Sequence, residues 1–228
     1  MNIGEYYKFP EGFIPMLRYI PNFYELNPNL SLPADMKYGF ENWGGWVLPE
    51  LDFSNVTTMK SMCYSSSLRK VDARNWNLSN VTDLSSAFNY CSSLIEVDFT
   101  GVNLSKVTTM DDMLSSCSKL EKVSSIDCSG ITTKNAYPLD YYTNNKNLTY
   151  LGGFLGMKMS WDNSNGLAMC PNLTYESCIN ILNGLYDFVG NNEEVGTNQG
   201  VLKVHSNFLT LVGDEISIGT NKGWTITV

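Results

Sequence analysis

YCSSLIEVDF, residues 90–99, has a near-copy on either side: YSSSLRKVDA at residues 64–73 and SCSKLEKVSS at residues 116–125. Recurrence at a fixed interval marks a chain assembled from stacked units. Aligning the copies on their leucines places Leu68, Leu94 and Leu120 at intervals of 26 residues, with Val71, Val97 and Val123 three residues after each.

Reading forward gives Leu68-x-x-Val71-x-Ala73-x-x-Trp76-x-Leu78, then Leu94-x-x-Val97-x-Phe99-x-x-Val102-x-Leu104, then Leu120-x-x-Val123-x-Ser125-x-x-Cys128. This spacing is the grammar of a leucine-rich repeat. Upstream, Trp43-x-x-Trp46-x-Leu48-x-x-Leu51-x-Phe53 fits at every apolar position; downstream, Leu148-x-x-Leu151 is a degenerate copy and Val201-x-x-Val204-x-Ser206-x-x-Leu209-x-Leu211 a good one. Within each unit, apolar residues alternate as in a strand. They then recur at spacings of three and four, as Met59 and Met62, Leu84, Ala87 and Phe88, and Met110, Met113 and Leu114 do. The expected class is therefore α/β: a solenoid of strands and short helical returns around a parallel sheet.

Thr57, Thr82 and Thr108 stand just before each helical spacing, where a hydroxyl is placed to accept from a first-turn N–H. Asp111 makes a capping-box-like pair with Thr108. Cys91 and Cys117 lie three residues before their leucines, with Ser65 as the first-unit equivalent, and read as an inward ladder of reduced thiols.

The ends of such a stack must differ from its interior. Residues 1–42 hold five of the eight prolines, Pro10, Pro15, Pro21, Pro28 and Pro33, and read as a non-repeating N-terminal cap. Regular repeats occupy 43–147, and 148–228 hold irregular and terminal units of the same single domain. There, Thr174 is placed to cap a helix with Ile179, Leu182 and Leu185 on one face. VLKVHS reads as a strand, LVGDEISIGTNKG as a helix stopped at Gly223, and WTITV as a final strand.

A net charge of −8 repels phosphate backbones, so nucleic acid is not expected as a partner. No apolar run is long enough to span a bilayer, and MNIGEYYKFPEGF lacks the basic start and apolar core of a secretory signal. Membrane insertion and classical export are therefore not expected, and localisation stays open. One histidine, His205, in an expected strand, offers no Ser/Asp partners for catalysis and no second imidazole for a Cys/His zinc site. GTNKGW lacks the spacing of a phosphate-cradling loop, and GNNEEVGTNQG lacks the alternating aspartates of a calcium loop. No enzyme activity, cofactor or metal is expected. The Asn-x-Ser/Thr triplets at Asn55, Asn77, Asn80, Asn103, Asn147 and Asn172 mostly recur with the repeat, which accounts for them without glycosylation.

SNVTTMKSMCYSSSLRKVD and SNVTDLSSAFNYCSSLIEVDF resemble the BspA-like leucine-rich repeats, a family common among surface proteins of Bacteroidetes, mycoplasma lipoproteins and some protist surface proteins. NLTYESCINILNGL with LVGDEISIGTNKGWTITV looks like the terminal unit of such proteins in gut Bacteroidetes and their phages. The resemblance implies a solenoid with binding or adhesive roles.

Recognition then falls to outward positions of the strands. Lys70, Glu96 and Lys122 should stack as neighbours of alternating sign. Asp72 beside Asp98 is a like-charge pair that needs a cation or turn hydrogen bonds to compensate. Asp72, Arg74, Asp98 and Thr100 form the candidate binding patch, and the cap aromatics Tyr6, Tyr7 and Tyr38 are a second candidate. The leading expectation is a non-enzymatic module that presents this surface to a protein or glycan. The alternative is a structural or host-contact component of a larger assembly such as a phage tail.

Overall fold

A computed structural model describes residues 32–48, 50–133, 136–139, 146–161 and 166–228. Tyr6, Tyr7 and all of the expected cap before residue 32 lie outside the described residues. The rest is mixed α/β, with small parallel sheets and few helices. The main sheet runs β1 (Lys70–Asp72), β2 (Glu96–Asp98), β3 (Lys122–Val123) and β5 (Tyr150–Leu151), all parallel. Its register pairs Val71 with Val97, Val97 with Val123 and Val123 with Leu151, the residues that alternation assigned to the interior. Each is at most 2% exposed. Burying one such side chain stabilises by about 1.5–3 kcal/mol, so a one-residue slip of register would expose the whole row.

Beside the main sheet, β4 (Ile126–Asp127) pairs in parallel with β6 (Phe154–Leu155). Further along, β7 (Val201–Lys203) pairs in parallel with β8 (Thr225–Thr227), the strand expected from WTITV.

The returns are not helices. The amides of Met59, Ser61, Cys63 and Ser65 donate sideways to the carbonyls of Asp83, Ser85, Ala87 and Asn89 in the next unit, while Met62, Tyr64 and Ser66 close three-residue turns onto Met59, Ser61 and Cys63. The following unit repeats the scheme, with Leu84, Ser86, Phe88 and Tyr90 donating to Thr109, Asp111, Met113 and Ser115. An α-helix needs each of those amides for its own i−4 carbonyl, so a chain that gives alternate amides to its neighbour cannot be helical. Every fourth residue takes up the reversal with a positive φ: Ser61 and Ser65, Ser86 and Tyr90, Asp112 and Ser116. Spacings of three and four identified the buried residues correctly, since Met59, Met62, Leu84, Ala87, Phe88, Met110, Met113 and Leu114 are all 0% exposed. The hydrogen bonding, not the burial, departs from expectation.

Three further expectations change. The hydroxyls of Thr57, Thr82 and Thr108 do not cap helices; they donate to Ala34 O, Thr57 O and Thr82 O, forming a rung from each unit to the one before. Ser66, not Ser65, stands in the cysteine ladder: its Oγ lies 3.0 Å from Cys91 Sγ, while Ser65 shares the left-handed turn position of Tyr90 and Ser116. Residues 36–42, assigned to a non-repeating cap, follow the scheme of the returns, with Met36, Tyr38, Phe40 and Asn42 donating to Thr58, Lys60, Met62 and Tyr64.

The unit at Trp43 buries Trp43 and Phe53, but Trp46 is 63% exposed, with the Arg69 guanidinium 4.2 Å from its ring centre. The copy read at Val201 ends at its strand, because Ser206–Val212 form helix α2 with His205 as N-cap, its Nδ1 accepting from Asn207 N–H. Thr174 does cap α1 (Tyr175–Gly184), accepting from Ser177 N–H. Helix α3 (Ser217–Thr220) follows a short 3-10 turn at Gly213–Ile216 and leads into the turn at Gly223. Lys222 Nζ then donates to the carbonyls of Leu182, Asn183 and Leu185, satisfying the end of α1 with a cation where the helix dipole favours one.

All six cysteines are buried as thiols, with no disulfide among them. One hydrophobic core runs from Leu32 to Trp224.

Candidate functional site

With Val71, Val97, Val123 and Leu151 turned inward, strand alternation turns Lys70, Asp72, Glu96, Asp98, Lys122 and Tyr150 to the opposite face. Lys70 pairs with Glu96 at 3.3 Å, and Glu96 is in register with Lys122. Lys70 and Glu96 are both more than a third exposed, so this pairing supports register more than stability.

The like-charge pair is compensated in both of the anticipated ways. Asp72 and Asp98 are register partners, and Arg74 reaches both: Nη2 is 2.6 Å from Asp72 Oδ2, Nε is 2.8 Å from Asp72 Oδ1, and Nε is 3.4 Å from Asp98 Oδ2. Each aspartate also closes an Asx turn, Asp72 Oδ1 accepting from Arg74 N–H and Asp98 Oδ1 from Thr100 N–H. Asp52 and Asp127 make the same turn with Ser54 and Ser129, so the aspartates end their strands by a common device. The four candidate residues are thus brought together. Thr100 contributes through its backbone and through its place in a neighbouring groove.

The hydrogen bond from Arg74 is the main cause holding the Asp72 carboxyl down at about 2. Burial pushes Asp98 upward, but hydrogen bonding from Thr100 and the charge of Arg74 outweigh it, so this carboxyl also titrates below its ordinary value. A folded value below the unfolded one adds stability that is complete above about pH 4 and fades as the pH falls through about 2. Arg74→Ala is expected to return the Asp72 titration toward the ordinary carboxylate range, read from its side-chain carbon by NMR. A midpoint still near 2 in the variant would remove Arg74 as the cause.

Two shallow grooves open on this face. One, of about 610 Å³, lies beside β1 between Leu48, Leu51 and Trp76, with Lys70 and Asp72 on its rim. The other, of about 460 Å³, crosses β2, β3 and β5 and reaches Glu176 and Asn180 on α1. Trp76 and Tyr150 were not singled out from sequence as functional residues. Trp76 occupies a repeat position that reads as interior, yet it is only half-buried and stacks on Phe53 with ring centres 4.3 Å apart. An aromatic residue at an outward strand position was the available signal for Tyr150, and its degenerate repeat obscured it. Glu176 and Asn180 carried no signal, since only the packing of α1 beside β5 brings them to the groove.

Other groups hold the structure together. Asn77 and Asn103 Oδ1 accept from the backbone and hydroxyl of Ser79 and Ser105, while Asn80, Asn147 and Asn172 donate to carbonyls of earlier segments. Glu193, in the loop weighed for calcium, accepts from Tyr186 Oη at 2.6 Å and from Lys158 Nζ at 3.0 Å. Among the described residues there is no group of three or more His, Cys, Asp or Glu placed to hold a metal ion, and no helix is long and apolar enough to cross a membrane.

No curated protein and no solved structure matches the chain. A family model does match, over residues 34–150, which takes in every strand of the main sheet except the last residue of β5, together with Asp72, Arg74, Asp98 and Thr100. That stretch is more than half of the chain, which therefore belongs to the family described as Mycoplasma protein of unknown function, DUF285.

Proposed function

We propose that the chain is a leucine-rich-repeat solenoid of the BspA-like type, acting as a non-catalytic binding or adhesion module whose strand face meets a protein or glycan partner. The observation that carries this reading is the outward face of the main sheet: rows of polar side chains in fixed register, latched by Arg74 and flanked by two grooves. Parallel strands stacked on a buried valine and leucine row hold such side chains rigidly, which limits the ordering cost of recognition. The unit-to-unit bonding of the returns, beginning by residue 36, supports the repeat reading.

The test uses the purified chain against a panel of extracellular-matrix proteins and glycans by biolayer interferometry. The quadruple variant Asp72→Ala, Arg74→Ala, Asp98→Ala, Thr100→Ala is expected to lose at least about ten-fold in affinity for a captured partner, equivalent to about 1.4 kcal/mol. Lys60→Ala, an exposed change on a return, should bind as the parent does. Equal binding by the parent and the quadruple variant would move the interaction off this face.

A further inference from the structure

The two grooves share one rim, because Lys70 and Asp72 of the first are the register partners of Glu96 and Asp98 of the second. Together they form a track across the main sheet with an aromatic ring toward each end, Trp76 at one and Tyr150 at the other. From β1 to β5 there are three strand steps, roughly 14 Å at a strand spacing of about 4.8 Å. The track is therefore longer than one small molecule and suits an extended ligand.

The charges along it indicate what kind. Along the strands, Lys70, Arg74 and Lys122 stand against Asp72, Glu96 and Asp98, and contacts at 2.6–3.4 Å already tie five of these six to one another, while Glu50 and Glu176 line the outer parts of the two grooves. The ion pairs satisfied within the protein leave little field at the middle of the track, and the carboxylates of Glu50 and Glu176 turn an anionic ligand away from its ends. The pairs do not exhaust hydrogen bonding: each carboxylate oxygen has two lone pairs, and ammonium groups have spare N–H donors. The Thr100 and Ser124 hydroxyls and the Asn180 amide add polar groups along the second groove.

Aromatic rings at the ends, with oriented donors and acceptors largely paired to one another between them, complement a molecule that has apolar C–H faces and hydroxyl edges. Accepting the strand face as the binding surface proposed above, we infer that its ligand is a neutral oligosaccharide of several sugar rings, laid across the strands from Trp76 to Tyr150.

The experiment is isothermal titration calorimetry of the full chain with neutral hexasaccharides (cello-, laminari-, xylo-, manno-, malto- and N-acetylchito-oligomers), alongside a cationic chitosan hexamer and an anionic galacturonate hexamer. Binding of at least one neutral oligomer is expected, with Kd changing less than about two-fold when sodium chloride is raised about ten-fold. Tyr150→Ala should weaken that binding at least about ten-fold, whereas Tyr150→Phe, which keeps the ring, should stay within about three-fold. Circular dichroism of the two variants separates a lost platform from a lost fold.

Three results overturn the inference: no neutral oligomer binds, a charged oligomer binds more tightly than all neutral ones, or Tyr150→Ala binds as the parent does. A matrix protein bound through Asp72 and Asp98 without any glycan would also overturn it, while leaving the broader binding reading intact.

Discussion

Phe88→Ala is expected to destabilise the protein by about 3–5 kcal/mol, the range for removing a fully buried aromatic ring, and so to lower Tm by roughly 6–20 °C for a chain of this size. The ring is 0% exposed and belongs to a return that contributes in two ways. Its backbone N–H donates to Met113 O, and its carbonyl accepts from Cys117 Sγ, so the residue lies where one unit is bonded to the next. Alanine keeps those backbone bonds but leaves a cavity, and the flanking returns cannot collapse into it without breaking their alternate cross-unit amides. Since whole-protein stability is typically about 5–15 kcal/mol, the loss is a large fraction of the total. Ile95→Ala, at a position 39% exposed, should stay within about 0.5 kcal/mol. Urea midpoints read by tryptophan fluorescence compare the two; equal midpoints would mean that Phe88 is not packed as described.

How far the chain could be read from its letters is clearest at such residues. A period of 26 and strict alternation were enough to pair Lys70 with Glu96 and Asp72 with Asp98, because a parallel sheet of near-identical units leaves no other register that buries Val71, Val97 and Val123 together. The returns were legible only in part. Helices and the turns seen here both bury residues three and four apart, so periodicity could not show that Ser61 and Ser86 hand their amides to the next unit. Threonine before an apolar run signals a helix cap in an isolated segment, but in a stack the nearer acceptor is the carbonyl of the preceding unit, which Thr82 and Thr108 use.

At the candidate site, the charge conflict between Asp72 and Asp98 was visible because register follows from the repeat, and Arg74 resolves it. The grooves were not visible. Trp76 obeys the repeat and looked like core, and Asn180 reaches the second groove through the packing of an irregular helix that no period describes.

Among the described glycines with positive φ, Gly153→Ala should be the most damaging change, costing about 2–6 kcal/mol from two additive sources. Gly153 has φ +99, a conformation that strains any residue with a Cβ, and the added carbon would sit 2.4 Å from Asn180 O and 2.9 Å from Asn180 C. Both close atoms are backbone of α1, so the helix itself must move away from the link between β5 and β6. Gly153 O also accepts from Ile126 N–H, so a shift of the glycine instead would cost a bond to β4. Gly101→Ala isolates the first source. Its φ is +76, but its Cβ would meet nothing within 4 Å, and the expected cost is only the strain, about 1–2 kcal/mol. Thermal and urea unfolding of both variants should therefore separate them by at least about 1 kcal/mol, with Gly153→Ala the less stable. Because Glu176 and Asn180 ride on α1, the same variant should weaken any ligand held in the second groove, whereas Gly101→Ala should bind normally wherever it is folded. Equal stabilities for the two variants would show that α1 does not approach the sheet this closely, and the second groove would lose the wall that α1 supplies.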